Sequence, residues 1–252
     1  MDRDLFRHYG DGVRAAFAQG IGCEVADFEG ERLTVVDRPA TAWPYTVAVV
    51  TFGVGTVISV DPAYRAFVDA NTPKVHYRAS ATPFLTSIAA EGARRGQPLV
   101  AQSPALHFTA CDDPGDIQPP PGFTLTEVDA AWMLEELPKR RFEHGIGEPG
   151  SGAREIRNRF AVIINDADGE PAAVAGVFDT FDMMEIGLDV VRKHRGHDLS
   201  TIAVRAATRA IIDRGGIPLY VCAATNIRSH RTAESAGFAI TCSDAFVTPA
   251  GM

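Results

Sequence analysis

From residue 123 towards the C-terminus, short apolar runs alternate with amphipathic segments that have helical spacing. The runs are rich in Val, Ile, Ala and Phe, and Gly, Asp or Asn residues bound most of the helical segments. Strands that alternate with helices form sheets whose faces the helices cover, because the crossover connections lie there. We therefore predict an α/β fold (α+β mixed), in which a mixed sheet is flanked by helices.

The predicted order in this part is strand, helix, hairpin, strand, helix, strand, helix, strand. The hairpin is predicted from NDADGEP at 165–171, because Asn, Asp and Gly favour tight turns. The predicted strands are 123–128, 160–164, 172–178, 184–191, 217–224 and 238–247, and the predicted helices are 129–142, 198–214 and 227–236.

Residues 112–122, DDPGDIQPPPG, contain four prolines and two glycines and continue neither a helix nor a central strand. We interpret them as a linker between a smaller N-terminal α/β domain, 1–118, and a C-terminal domain, 119–252. No pattern before the linker indicates a particular chemistry. The predicted N-terminal helices are 2–19, 62–70 and 82–95, and the predicted strands are 32–37, 45–51 and 54–60.

Composition excludes several classes of partner. The 252 residues carry a formal net charge of -8, which argues against nucleic-acid binding, because that depends on neutralised phosphates. Four cysteines occur without a C-x-x-C pair, so we expect no metal site, no disulfide framework and a reducing compartment. The first residues, MDRDLFRHYGDG, are charged, and no apolar run is long enough to cross a bilayer. We predict a cytoplasmic location with no membrane partner.

The strand at 184–191 leads through a basic loop, RKHRGH, into the helix that begins near Asp198. A helix start preceded by Arg195 and Gly196 presents free backbone N–H groups and the positive end of the helix dipole, an arrangement that holds a phosphate or pyrophosphate. A solvated basic turn is the alternative interpretation. Neither a P-loop nor a Rossmann fingerprint is present.

A second cluster, N-x-x-S-x-R-x-x-E-x-x-G-F, runs from Asn226 to Phe238. Together with LDVVRKHRGHDLSTIAVRAA it resembles the GNAT superfamily of N-acetyltransferases, in particular the branch that acetylates protein N-termini and related amines. The resemblance covers about residues 122–249. It implies a GNAT-like mixed sheet, acetyl-CoA as the acyl donor, and transfer to a primary amine of a small molecule or peptide by direct attack in a ternary complex.

The resemblance also implies roles for individual residues. The main chain of Leu188, Asp189 and Val190 would hold the pantetheine arm of coenzyme A, and Asn226 and Ser229 would lie beside its thiol end. The pyrophosphate turn would consist of Arg195, Gly196, His197, Asp198, Leu199 and Ser200.

Two positions depart from the family pattern. In the loop pattern Q/R-x-x-G-x-G/A, Lys193 stands first and Asp198 last, and a carboxylate beside a pyrophosphate is repulsive unless it turns away and caps the helix. Many members have a tyrosine seven residues after the asparagine as general acid, where this chain has Ala233. If the protein is catalytic, Ser229 or an ordered water must supply that proton, or the thiolate leaves without one.

Transfer to an amine requires a neutral nucleophile, so a base or a water chain must accept a proton. Glu185 resembles the strand glutamate that some family members use as base; a surface or salt-bridged glutamate is the alternative. His144, after the first helix of this part, is a second candidate. Cys222, in a buried strand, is predicted to be a core residue rather than a nucleophile.

Three functions remain open at this point: an N-acetyltransferase, a non-catalytic acyl-CoA sensor or scaffold, and an interaction domain that has lost the cofactor. In the N-terminal part, VDPAYRAFV at 60–68 is similar to the start of a GNAT cofactor loop, with Ala66 in place of glycine. A degenerate second GNAT half and a chance match at a strand-to-helix turn are the two interpretations.

Overall fold

The computed structural model describes residues 1–138, 141–146 and 157–251. The helices are α1 (Arg3–Ile21), α2 (Arg65–Asn71), α3 (Thr82–Arg94), α4 (Ala130–Glu136), α5 (Glu143–Ile146), α6 (Leu199–Asp213) and α7 (Ile227–Ser235). The strands are β1 (Leu33–Asp37), β2 (Val47–Thr51), β3 (Thr56–Val60), β4 (Leu99–Ala101), β5 (Ala105–Ala110), β6 (Thr124–Asp129), β7 (Asn158–Asn165), β8 (Pro171–Thr180), β9 (Met183–Val190), β10 (Pro218–Ala223) and β11 (Phe238–Pro249).

The predicted elements are confirmed in their order, with one clear difference in length. The helix predicted at 129–142 ends at Glu136, and a separate short helix, α5, begins at Glu143. The reason is Pro138, which disfavours helical geometry at the residue before it, and Leu137 is extended, with ψ 129°. Strands β4 and β5 were not predicted.

The strands form one sheet in the order β1-β3-β2-β11-β5-β10-β9-β8-β7-β6, and β4 pairs with β11. Parallel pairs, β1 with β3 and β9 with β10, occur beside antiparallel ones. The mixed sheet predicted from the sequence is therefore confirmed. Among the described residues, no helix combines the length and the apolar character that a membrane crossing requires.

The sheet runs across the predicted domain boundary between residues 118 and 119. Strand β5, from the N-terminal part, lies between β10 and β11, and β11 also pairs with β2 and β4. One core cluster likewise joins Phe17 of α1 to Leu219 and Cys242. The division into two domains stays a prediction, and the two parts share one sheet.

Helices cover the sheet on both sides. On one side, here called the α6 face, Leu199 and Val204 of α6 pack with Ile186 and Tyr220, and α7 lies beside them. The opposite side, called the α1 face, is covered by α1 over the central strands and by α4 and α5 over β7 and β8.

Two glycines allow α5 to lie directly on the sheet. A Cβ atom at Gly176 would overlap the carbonyl oxygen of Gly145, and one at Gly187 would overlap that of His144. Because α5 borders the site described next, these glycines contribute to its shape.

Candidate active site

Strands β9 and β10 separate part of the way along their length. Their parallel pairing consists of Pro218 with Met184, Leu219 with Glu185, and Tyr220 with Ile186. Beyond this point β9 is paired only with β8 and β10 only with β5. The main chain of 187–190 therefore has one edge without a strand partner, and a cleft of about 700 Å³ lies at the gap.

The alternation of side chains divides the residues of the cleft between the two faces of the sheet. Ile186, Leu188, Tyr220 and Cys222 belong to the α6 face. Glu185 lies opposite Leu219, which packs under α1, and thus belongs to the α1 face. Residues from both faces of the sheet therefore line one gap, and the two faces provide different chemical groups.

On the α6 face, two hydroxyl groups meet. The hydroxyl oxygens of Tyr220 and Ser229 are 2.8 Å apart, and the side chain of Asn226 accepts a hydrogen bond of 3.2 Å from the Ser229 N–H at the start of α7. Burial raises the pKa of Tyr220, so its hydroxyl keeps its proton near neutral pH. The predicted Ser229 thus lies in the cleft with a second proton donor beside it.

Cys222 also lines the cleft, but its environment opposes nucleophilic chemistry. The residue is buried, and burial raises the pKa of its thiol, which keeps the thiolate scarce. Ala233, at the position of the family's tyrosine, is fully buried in the core of the α6 face.

On the α1 face, Glu185 is half-buried and accepts a hydrogen bond of 2.8 Å from the hydroxyl of Thr180. Glu143 and His144 of α5 line the same cleft. The geometry thus brings both base candidates of the sequence, Glu185 and His144, to one site.

The side chain of Asp189 has a structural role. Its carboxylate accepts hydrogen bonds from the backbone N–H groups of His144, at 2.8 Å, and Gly145, at 2.9 Å. This carboxylate therefore attaches α5 to β9, while the main chain of Leu188, Asp189 and Val190 lies along the unpaired edge of β9.

The loop before α6 has an open, left-handed turn. Gly196 has φ +96°, and a Cβ atom there would meet no atom within 4 Å. The next residues, His197 and Asp198, are exposed, and Asp198 has φ +56°. The loop thus leaves the backbone accessible at the N-terminus of α6, as the sequence predicted.

The prediction that Asp198 caps α6 through its side chain is wrong. Asp198 occupies the N-cap position, but among the described residues its side chain makes no capping hydrogen bond. An N-cap that bonds through its side chain is usually extended, whereas Asp198 is left-handed. The N–H groups of Leu199 and Ser200 belong to the first turn of α6, where a helix provides no acceptor of its own. The N–H of Ile202 donates to the carbonyl of Asp198 at 3.2 Å.

Asp166 of the β7–β8 turn holds part of the basic loop. Its carboxylate lies 3.0 Å from both the Lys193 ammonium and the His194 Nε2, and the hydrogen bond from Lys193 is the main reason its pKa falls to about 2. Arg192 and Arg195 are exposed, and neither has an ion pair within the described ranges. Within this loop, the two arginines thus carry positive charge that is available to a ligand.

The chain was compared with known proteins. No protein-family model and no curated protein matches the chain. Similar solved structures include GCN5-related N-acetyltransferases from Kribbella flavida (16% identity, 96% of this chain and 96% of that chain, TM-score 0.49) and Sphaerobacter thermophilus (13%, 95% and 90%, 0.49). Another is a GCN5-related N-acetyltransferase-like protein from Streptococcus suis (14%, 79% and 82%, 0.43).

The printed names of these structures belong to the family that the two sequence motifs resemble. The mixed α/β sheet is shown by the strand order itself. What the chain does must be argued from its own cleft.

Sequence reasoning missed several residues of the cleft. Tyr220 stands in a strand segment whose pattern indicates burial, and Thr180 lies beyond the end of the strand predicted at 172–178. Hydroxyls at such positions carry no local signal. His107 and Trp43 belong to the part of the chain for which no chemistry was predicted, and they enter the cleft because β5 and β11 complete the sheet beside β10.

Proposed function

We propose that the protein is an acyl-CoA-dependent N-acyltransferase that moves an acetyl group to a primary amine by direct attack in a ternary complex. The observation that carries this proposal is the gap between β9 and β10, with a carboxylate on one face and a pair of hydroxyls on the other. An acyl transfer to an amine needs a proton acceptor at the nucleophile and a proton donor at the leaving group.

The residues present fit coenzyme A. The unpaired edge of 187–190 offers backbone donors and acceptors to an extended, amide-containing arm such as pantetheine. At the end of that edge, Gly196 and the first turn of α6 offer accessible N–H groups to a pyrophosphate, with Arg195 beside them. When bound, acetyl-CoA supplies a thioester whose acyl carbon accepts an amine.

Glu185 is assigned as the base. Its carboxylate reaches the cleft from the α1 face, and Thr180 orients it. The amine nitrogen forms the new amide bond while its proton passes to this carboxylate, directly or through a water.

Tyr220 and Ser229 are assigned to the leaving group. The carbon–sulfur bond breaks as the amide forms, and the departing sulfur takes a proton from Ser229, which Tyr220 replenishes across the 2.8 Å contact. This pair replaces the tyrosine that the sequence lacks at Ala233. Amine and thioester thus become amide and thiol, and the cycle closes when Glu185 releases its proton to water and Tyr220 takes one up from water.

The second candidate function is a non-catalytic acyl-CoA sensor, and the exposed carboxylate of Asp198 favours it. Among the described residues that carboxylate makes no capping hydrogen bond, and it places a negative charge near the predicted pyrophosphate turn. Repulsion there weakens cofactor binding, which suits a protein that responds to the concentration of acyl-CoA.

Two measurements test the proposal. In a thermal shift assay, coenzyme A at one hundred times its Kd should add about 2.7 kcal/mol to the free energy of unfolding. Incubation with acetyl-CoA and a panel of primary amines should then release free thiol in proportion to acetylated amine. Binding without turnover on any amine would favour the sensor, and no thermal shift would exclude both acyl-CoA functions.

A further inference from the structure

We propose that Asp244 and His107 form a second subsite, which binds a cationic nitrogen of the acceptor distant from the amine that reacts. The acceptor class is therefore a small diamine. This inference rests on the proposed function for the reaction at Glu185, and the binding it assigns is measurable without turnover.

The two residues lie on the α1 face, beside the gap between β9 and β10. His107 of β5 is opposite Val221 of β10, and Asp244 of β11 is opposite Ala105 of β5. Both residues line the cleft, although their side chains are only 5% and 7% exposed, and the His107 Nε2 is 3.0 Å from the nearer carboxylate oxygen of Asp244. A nearly buried carboxylate thus borders the same cavity as Glu185.

The imidazole nitrogens of His107 have no hydrogen-bond partner among the described residues. Among the described residues, neither buried ring nitrogen has a partner of hydrogen-bond geometry, because the close approach of Nε2 to Asp244 is poorly aligned. The ring of Phe17 packs edge to face against the imidazole, with the two centroids 5.0 Å apart. Buried polar groups are normally satisfied, so an imidazole that borders a cavity in this condition indicates a ligand with an N–H group to share.

The charged residues that line the cleft indicate the sign of the charge on that ligand. The cleft is lined by the carboxylates of Glu143, Glu185 and Asp244 and, within the described part of the chain, by neither lysine nor arginine. Arg14, on the same face, bonds Asp11 at 3.3 Å and stacks on Phe52, and it does not line the cleft. A buried carboxylate is costly without a cation, so the missing charge belongs to the ligand.

Two aromatic side chains form a wall of the cleft near Asp244. The rings of Trp43 and Phe246 meet edge to face, with centroids 5.1 Å apart, and both residues line the cavity. Aromatic faces attract a desolvated ammonium and also pack against the alkyl chain that joins two amines. A wall of this kind suits a diamine better than a hydroxylated or anionic acceptor.

A single amine does not satisfy both ends of the cleft. The nitrogen that attacks must be neutral and must give its proton to Glu185. The nitrogen that binds Asp244 and His107 must instead stay protonated and positively charged. Two nitrogens on one short chain meet both requirements, and the distal one positions the reacting one.

The experiment compares the diamine putrescine with n-pentylamine, which has a methyl group in place of the second amine. We expect kcat/KM for putrescine to exceed that for n-pentylamine by about tenfold or more, the effect of one charge-assisted hydrogen bond. Asp244→Asn keeps the size of the side chain and should remove this preference by raising KM for putrescine until the two amines have similar kcat/KM. Asp213→Asn, at an exposed position of α6, is the matched control.

Calorimetric titration of putrescine into the full chain separates the two proposals. Transfer to both amines without preference overturns the subsite and leaves the proposed function intact. Putrescine binding that Asp244→Asn abolishes, without transfer, supports the subsite and overturns the proposed function. Should the variant fail to fold, the comparison of the two amines on the unmodified protein still decides, since equal kcat/KM and equal affinity contradict the inference.

Discussion

Glu185 and Tyr220 lie on neighbouring strands and reach the same gap from opposite faces of the sheet. This arrangement separates the two proton transfers in space, so each residue can be tested alone. The loss of one proton path should leave cofactor binding intact, because the groups assigned to the pantetheine arm are those of the backbone.

Replacing Glu185 with Gln removes the proton acceptor while preserving the shape of the side chain and its bond to Thr180. We expect turnover to fall by about 100-fold, with the affinity for coenzyme A unchanged. Steady-state kinetics and calorimetry measure the two quantities, with Glu135→Gln on the exposed side of α4 as control. A variant with the wild-type rate would assign Glu185 a structural role and leave His144 or water as the base.

Tyr220→Phe and Ser229→Ala each interrupt the hydroxyl pair. We expect kcat to fall by about tenfold to 100-fold in either variant, and the double variant to be no slower than the slower single one, because residues in one relay act as a unit. A double-mutant cycle on kcat gives the coupling. Additive losses would show that the two hydroxyls act independently.

At the scale of elements, the turn between β9 and α6 is the part of the chain that we propose to hold the pyrophosphate of coenzyme A. A valine at Gly196 forces a β-branched side chain into a left-handed backbone and obstructs the approach of a phosphate, so Gly196→Val should weaken coenzyme A binding by at least tenfold. Gly215 has φ +70° and equally open surroundings, so Gly215→Val carries a similar backbone strain far from the turn. Calorimetry should show weak binding for the first variant only, and equal affinities would remove the pyrophosphate assignment.

Asp166 connects the β7–β8 turn to this loop, and its lowered pKa makes the connection sensitive to acid. The carboxylate titrates near 3.9 in an unfolded chain and at about 2 in the folded protein. Its contribution is therefore complete above pH ~4 and is lost as the pH falls towards ~2. We expect Asp166→Asn to lower the Tm at pH 6 and the difference from wild type to vanish near pH 2. A difference independent of pH would mean that the charge does not matter.

At the scale of the whole molecule, the shared sheet predicts how the chain responds to a cut. Pro121 and Gly122 are exposed, so a protease site inserted between them is accessible. We expect the cut chain to elute as one species, because β5 is held between β10 and β11. Separation would need denaturant. A C-terminal fragment that elutes alone and keeps its near-ultraviolet circular dichroism would instead support the two-domain division.

Most helices and strands, and the open turn before α6, were predictable from the sequence. Periodicity, caps and turn residues act over a few neighbouring positions, as Asp2 does at the start of α1 and Gly169 does in the β7–β8 turn. The motif from Asn226 to Phe238 could be recognised for the same reason, because its first residues form the N-terminal cap of α7.

Only the tertiary structure decided how the two parts of the chain combine and what lines the acceptor side of the cleft. The pairing of His107 with Val221, and of Asp244 with both Ala105 and Val50, joins segments far apart in the sequence. Local periodicity assigns a residue to a strand but not to a neighbour, because strand pairing is selected by the packing of the entire sheet. For this reason the sequence determined the elements and the open turn before α6, while only the fold brought the carboxylate of Asp244 and the imidazole of His107 to the proposed second subsite.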